Sequence, residues 1–263
     1  MNIGLIIVGD EILSGKRQDK HLAKVIELLC ARGLALQWAR YVGDDRVRIT
    51  ADLRHAFASG DLVFCCGGIG ATPDDHTRQC AAAALGVDLA LHPEGKALIL
   101  ERMRDTALEQ GLPYEPERAD NQHRLNMAVF PVGAQVIPNP YNKIAGFSCG
   151  HVHFVPGFPV MAWPMIEWVL DQRYAQLHGG ARTVERSVIV FGAMEATLTP
   201  LMEDIEARFD GVKVFSLPSV DHPEYGRHIE LGVKGLADPE AAFTALRQGL
   251  LQFGARLGPE LVR

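Results

Sequence analysis

Gly67-Gly68-Ile69-Gly70-Ala71-Thr72-Pro73-Asp74-Asp75-His76-Thr77 lies between an apolar run, Leu62-Val63-Phe64-Cys65-Cys66, and an alanine-rich stretch from Arg78 to Leu85. The run before it reads as a buried strand and the stretch after it as a helix. Glycines let the chain turn sharply and bring backbone amides close to a ligand. Thr72 or Asp74 is placed to cap the helix, whose amino-terminal end favours an anion. Asp75, one residue inside, offers a carboxylate for a divalent metal. Strand, glycine loop and helix in this order point to a site for a phosphorylated small molecule.

Outward from the loop, strands and helices alternate. Residues 3–8 form a continuous apolar strand. Residues 21–32 carry Leu22, Val25, Ile26, Leu29 and Cys30 at helical spacing, with Gly33 as the stop. Residues 35–42 predict a second strand and 46–58 a second helix. This alternation implies a mainly parallel sheet covered on both faces, with ligands outside the carboxyl ends of its strands. Three loops fall at that edge: Gly9 to Gly15, Gly43-Asp44-Asp45, and Gly67 to Asp75. Each combines glycine with acid. Acids repel a phosphate unless a cation intervenes, so their clustering implies Mg²⁺ or Mn²⁺.

Helices are expected over 93–110, 118–126 and 161–177, the last bearing Trp163 and Trp168, with short strands over 134–137, 146–149 and 151–155. Gly179-Gly180 reads as a linker. Residues 182–263 then form a separate unit: strands at 184–191, 212–217 and 227–233, helices at 195–209 and 239–253. That order suits a small α+β domain.

The bulk composition narrows the function. The chain has 263 residues and a net charge of −6, which argues against a general binder of nucleic acid or membrane surfaces. No apolar stretch approaches the roughly 20 residues needed to span a bilayer. The start, Met1-Asn2-Ile3-Gly4-Leu5, lacks the features of a signal peptide. The five cysteines (Cys30, Cys65, Cys66, Cys80 and Cys149) include no Cys-x-x-Cys pair. Reduced thiols in a cytoplasmic protein are expected, and structural zinc is not.

Together, Gly9-Asp10-Glu11-Ile12-Leu13-Ser14-Gly15 and the segment from Gly67 to Thr77 resemble the molybdopterin-binding fold. They are similar to the amino-terminal region of the competence/damage-inducible protein A (CinA) family and to the related domain fused to eukaryotic FAD synthetases. Val42-Gly43-Asp44, Pro131-x-Gly133-Ala134, Asn139, Gly146-Phe147 and Val155-Pro156-Gly157-Phe158-Pro159 extend the resemblance across residues 1–178. The rest is similar to the small middle domain of CinA proteins, through Gly192 and Glu195-Ala196-Thr197-Leu198. Because the chain stops at Arg263, a stand-alone form without the deamidase domain of many CinA proteins is the expectation.

The resemblance implies a three-layer α/β domain with a mainly parallel sheet over 1–178, followed by the smaller α+β domain over 182–263. It implies a phosphorylated pterin or nucleotide as the small-molecule partner, with molybdopterin one candidate. It also implies self-association into a homo-oligomer. The associated activity is hydrolysis of nucleotide pyrophosphates such as ADP-ribose or FAD, dependent on Mg²⁺, Mn²⁺ or Co²⁺. The alternatives are a non-catalytic molybdopterin or nucleotide carrier and an adenylyltransferase of molybdenum-cofactor biosynthesis. Position by position, Asp44 and Asp75 become metal-facing acids. Gly67, Gly68 and Gly70 supply amides to phosphate, with the Thr72 and Thr77 hydroxyls nearby. Glu11 or Asp10 would accept a proton from water.

This sequence departs from the family pattern in three places. Ala71 stands where proline is usual. Asp19-Lys20-His21 replaces a common Asp-Thr-Asn, leaving His21 to substitute for an asparagine contact. Asn142-Lys143-Ile144-Ala145-Gly146 replaces Gly-Thr-Ala-Pro-Gly and makes Lys143 an added phosphate contact. Two other features invite sharper readings that the residues do not favour. His151 and His153 share a strand face but lack a third metal ligand. Gly232-Val233-Lys234-Gly235 imitates an RNA-binding loop in a region where acids outnumber bases.

Overall fold

The computed structural model describes residues 1–179, 184–236 and 238–263, which divide into two compact units, Met1–His178 and Gly179–Arg263. The linker expected at Gly179-Gly180 lies partly outside the described residues.

In the first unit, β1 (Ile3–Val8) leads through α1 (Asp10–Leu13) and α2 (His21–Cys30) to β2 (Trp38–Val42), α3 (Arg46–Ser59) and β3 (Leu62–Cys66). Then follow α4 (Thr77–Leu85), β4 (Leu89–Leu91), α5 (Pro93–Gln110), α6 (Ala119–Arg124), β5 (Val129–Pro131), β6 (Gln135–Ile137), β7 (Gly146–Cys149), β8 (Val152–Val155) and α7 (Pro159–Arg173). Six strands make one sheet in the order β2-β1-β3-β8-β7-β6. The first four are mutually parallel, while β7 and β6 run antiparallel as an added hairpin.

Every residue of β1 and β3 is buried, as strands covered on both faces require. Alternation divides them between two cores. Ile6, Val8, Val63 and Cys65 pack with Ile49 and Leu53 of α3 and with Cys80 and Ala81 of α4. On the opposite face, Leu5, Ile7, Phe64 and Cys66 meet Val25 and Leu29 of α2 and Ile166 and Val169 of α7. The result is the expected three layers. The parallel run brings the carboxyl ends of β1, β2, β3 and β8 to one edge.

Details of the elements differ from the sequence reading. The buried face of α2 is His21, Val25, Leu28 and Leu29, whereas Ile26 and Cys30 are exposed. Neither Thr72 nor Asp74 caps α4. Its first N–H, on Thr77, donates to the carbonyl of Gly68 at 2.9 Å, so the loop itself provides the cap. The two-stranded β4–β5 pair was not legible, both strands being only three residues long. His153 is fully buried, between the Ser148 hydroxyl at 2.7 Å and the Tyr174 hydroxyl at 2.9 Å. Its role is that of a core polar link.

The second unit contains β9 (Val184–Phe191), α8 (Glu195–Arg208), β10 (Val212–His222), β11 (Gly226–Gly235), α9 (Glu240–Gln252) and β12 (Arg256–Val262). Its antiparallel sheet has the order β10-β11-β9-β12, and Leu198, Ile205, Phe243 and Leu246 of the helices pack with Val188, Val190, Leu231 and Val233. The closing strand β12 is absent from the sequence reading because Gly258 and Pro259 interrupt its apolar pattern. Gly232 to Gly235 belong to β11, where Gly232 pairs with Phe215 and Ser187, so the segment is a ladder and no exposed loop.

Candidate functional site at the carboxyl edge of the sheet

The loops after β1 and β2 are joined by a reciprocal pair of hydrogen bonds. The Asp10 N–H donates to Asp44 Oδ2 at 3.0 Å, and the Asp44 N–H donates to Asp10 Oδ1 at 3.2 Å. Gly43 makes room for this pairing, since a Cβ there would fall 2.3 Å from Asp10 Oδ1. Asp45, not Asp44, caps α3, accepting from the Arg48 N–H at 2.8 Å. Asp44 is thereby released from the plain capping role that its position allowed.

Burial raises the Asp44 carboxyl above its ordinary value. The charges of Asp10, Glu11 and Asp74 raise it further, against the lowering effect of the Asp10 N–H. Asp74 is therefore a glycine-loop acid whose charge acts on Asp44. A carboxyl raised in the fold binds its proton more tightly there than in the unfolded chain. Its contribution is full below the ordinary carboxylate value and is lost as pH rises through the raised one. Asp44→Asn keeps an acceptor for the Asp10 N–H and removes this charge. The variant is expected to melt about 1–3 °C higher than wild type at pH 7. A lower melting temperature in calorimetry would contradict the repulsion.

Asp75 stands just before α4. Its Oδ2 accepts from both the N–H (2.9 Å) and the hydroxyl (2.6 Å) of Thr72, closing the end of the glycine loop. The Thr72 hydroxyl is thus spent on Asp75. The same carboxylate lies over Gly70, where a Cβ would come within 2.5 Å of Oδ2. Thr77, fully buried, donates its hydroxyl to the carbonyl of Gly67 at 3.0 Å.

Arg78 is only 4% exposed. Its guanidinium donates to the carbonyls of Ile69 and Gly70, the latter at 2.6 Å. Burial lowers the guanidinium from its ordinary value, and Asp75 partly restores it. Four consecutive carbonyls, those of residues 67 to 70, are therefore held by the first turn of α4. Among the described residues, none of the N–H groups of Gly68, Ile69, Gly70 and Ala71 has a hydrogen-bond acceptor. Sequence reasoning missed Arg78, because a charged residue next to a loop reads as solvated unless its burial is known.

Two cavities flank this edge. One, of about 230 Å³, is lined by Arg46, Thr72, Asp75, His76, Arg78 and Gln79 among others. The second, of about 280 Å³, is bordered by Glu11, Arg17, His21, Gly157 and Phe158. Buried His21 bonds through Nε2 to the Gly157 carbonyl at 3.0 Å, tying α2 to the loop after β8. Lys143 is engaged elsewhere: its ammonium donates to Glu101 and Asp105 of α5, each at 2.6 Å.

Among the described residues, no three or more His, Cys, Asp or Glu side chains are grouped to hold a metal ion unaided. A hard cation of the Mg²⁺ kind would draw on carboxylate oxygens such as those of Asp10 and Asp44, which the structure brings together. Such an ion usually takes one or two carboxylates and completes its shell with water and substrate phosphates.

A doubly covered, mainly parallel sheet with a glycine loop of unpartnered amides and clustered acids at its carboxyl edge defines a class of small-molecule-binding α/β domains. The chain belongs to the probable molybdopterin binding domain family, whose model matches residues 4–176. A CinA-like protein of Anaeromyxobacter sp. (strain K) is 32% identical over 213 residues, which is 78% of this chain and 49% of that protein. A CinA-like protein of Geobacter metallireducens is 28% identical across 100% of this chain and 61% of its own length. The chain thus spans about half the length of such curated relatives as the Anaeromyxobacter protein. The crystal structure of CinA from Thermoplasma acidophilum, described as of unknown function, has 28% identity and a TM-score of 0.54, covering 65% of this chain and 98% of that one. No described helix is long and apolar enough to cross a membrane.

Proposed function

We propose that the first unit binds a phosphorylated pterin or nucleotide at the carboxyl edge of its sheet and hydrolyses a pyrophosphate bond with the help of a divalent cation. The observation that carries the reading is the row of four N–H groups, Gly68 to Ala71, without acceptors among the described residues. Amides in such a row are donors for phosphoryl oxygens, and they stabilise charge as it develops there without needing to reorganise. Asp44 and Asp75 are the residues that would hold Mg²⁺, Mn²⁺ or Co²⁺, with Asp10 joined to Asp44 by hydrogen bonds. The ion would supply positive charge to offset these acids, polarise the phosphoryl group and ease loss of a proton from water. Glu11, or Asp10, would accept that proton.

ADP-ribose and FAD, incubated with each of the three metals and analysed for phosphate monoesters, test the reading. Asp75→Ala is expected to lower turnover by about 100-fold or more while the fold persists. Turnover equal to wild type would remove Asp75 from the chemistry.

A second reading, a binder or carrier without turnover, uses the same row of loop amides. Tight binding in calorimetry with no product would support it. Consumption of ATP that depends on molybdopterin would instead support an adenylyltransferase.

A further inference from the structure

We propose that Arg78 is the positioning residue that turns the loop amides outward and so makes this site select phosphoryl oxygens. The inference rests on the phosphate-binding reading above and assigns the determinant of its geometry.

A planar trans peptide holds its C=O and N–H in opposite directions, so a fixed carbonyl fixes the N–H of the next residue. Arg78 holds the carbonyls of Ile69 and Gly70, and Thr77 holds those of Gly67 and Gly68 through its hydroxyl and its N–H. The N–H groups of Gly68, Ile69, Gly70 and Ala71 must therefore face away from the first turn of α4. Thr77 orients the first two and Arg78 the last two. Burying a guanidinium is costly unless its donors find acceptors, and here Nη1 and Nη2 each donate to a main-chain oxygen, with Asp75 as the acid acting on it. Arginine suits the task because its rigid fork reaches two successive carbonyls, whereas a lysine ammonium is a single point of attachment. With one carbonyl released, its peptide is free to rotate, and an oxygen then faces the anion where an N–H stood.

The test uses the whole chain and inorganic pyrophosphate alone, followed through backbone amide resonances. Wild type is expected to show its largest shifts at residues 68 to 71. Arg78→Lys is expected to bind pyrophosphate at least about tenfold more weakly and to lose the shifts at Gly70 and Ala71 first. Arg78→Gln, neutral and able to reach one carbonyl, is read in the same way if the lysine variant does not fold. A residue with only a packing role would lower the melting temperature and leave the pattern of shifts intact. If wild type and Arg78→Lys respond alike, Arg78 is not the determinant, although the phosphate site stands. If wild type shows no shifts at residues 68 to 71, both this inference and the phosphate-binding reading fall.

Discussion

Gly68→Ala is expected to lose nearly all affinity for a pyrophosphate-bearing ligand and about 2–4 kcal/mol of stability. Two independent costs meet at this residue. Its φ of +67° lies in the left-handed region that disfavours a side chain. A Cβ would also fall 2.1 Å from the Thr77 hydroxyl oxygen. Thr77 cannot simply retreat, because its hydroxyl and N–H hold the carbonyls of Gly67 and Gly68. Relief of the clash therefore displaces the peptides whose N–H groups face the proposed anion, and a shift of about 1 Å at such a site costs on the order of 100-fold. Gly60→Ala is the matched control. Its φ is +72°, but nothing lies within 4 Å of the added carbon, so only the backbone penalty of roughly 1 kcal/mol applies. Urea unfolding and calorimetry on both variants check the difference. Equal losses at the two positions would mean that the loop absorbs the clash.

The other large effect is acid lability of the first unit. Burial, aided by the charge of Arg173 and by His151, lowers the His153 imidazole to about 3, against an ordinary value of 6.5. The unfolded chain therefore takes up a proton at this residue before the folded one does. Stability from neutral His153 is full above pH 6.5 and drains as pH falls from there to about 3, by an amount on the order of several kcal/mol. His153→Gln retains hydrogen-bonding capacity toward Ser148 and Tyr174 but cannot titrate. Urea unfolding at pH 7 and pH 4.5 is expected to show a larger loss for wild type than for this variant. Parallel losses would locate the acid sensitivity elsewhere.

These two residues show how unevenly the molecule was legible. Gly68 announced itself, because three glycines between an apolar strand and an alanine-rich helix leave few other folds open to the chain. His153 did not. Its strand neighbours suggested a shared face with His151, but burial and the partners Ser148 and Tyr174 come from separate elements. The helix α5, Pro93–Gln110, was readable from its proline start and glycine stop. The faces of α2 were not, since Ile26 and Leu28 are both apolar and only packing against α7 selects between them.

The amino-acid order by itself determined the alternation of strands and helices, the covered sheet, the second α+β unit and the position of the glycine loop. Each of these depends on local periodicity and on backbone freedom at particular residues. Tertiary structure alone decided which charges act on one another. It joined Asp10 to Asp44, drew the Lys143 ammonium to α5, and buried Arg78 against the loop carbonyls. Electrostatic partners and desolvation are properties of distance in space, and residues 34 or more apart in the chain, such as Asp10 and Asp44, meet only after the sheet has formed.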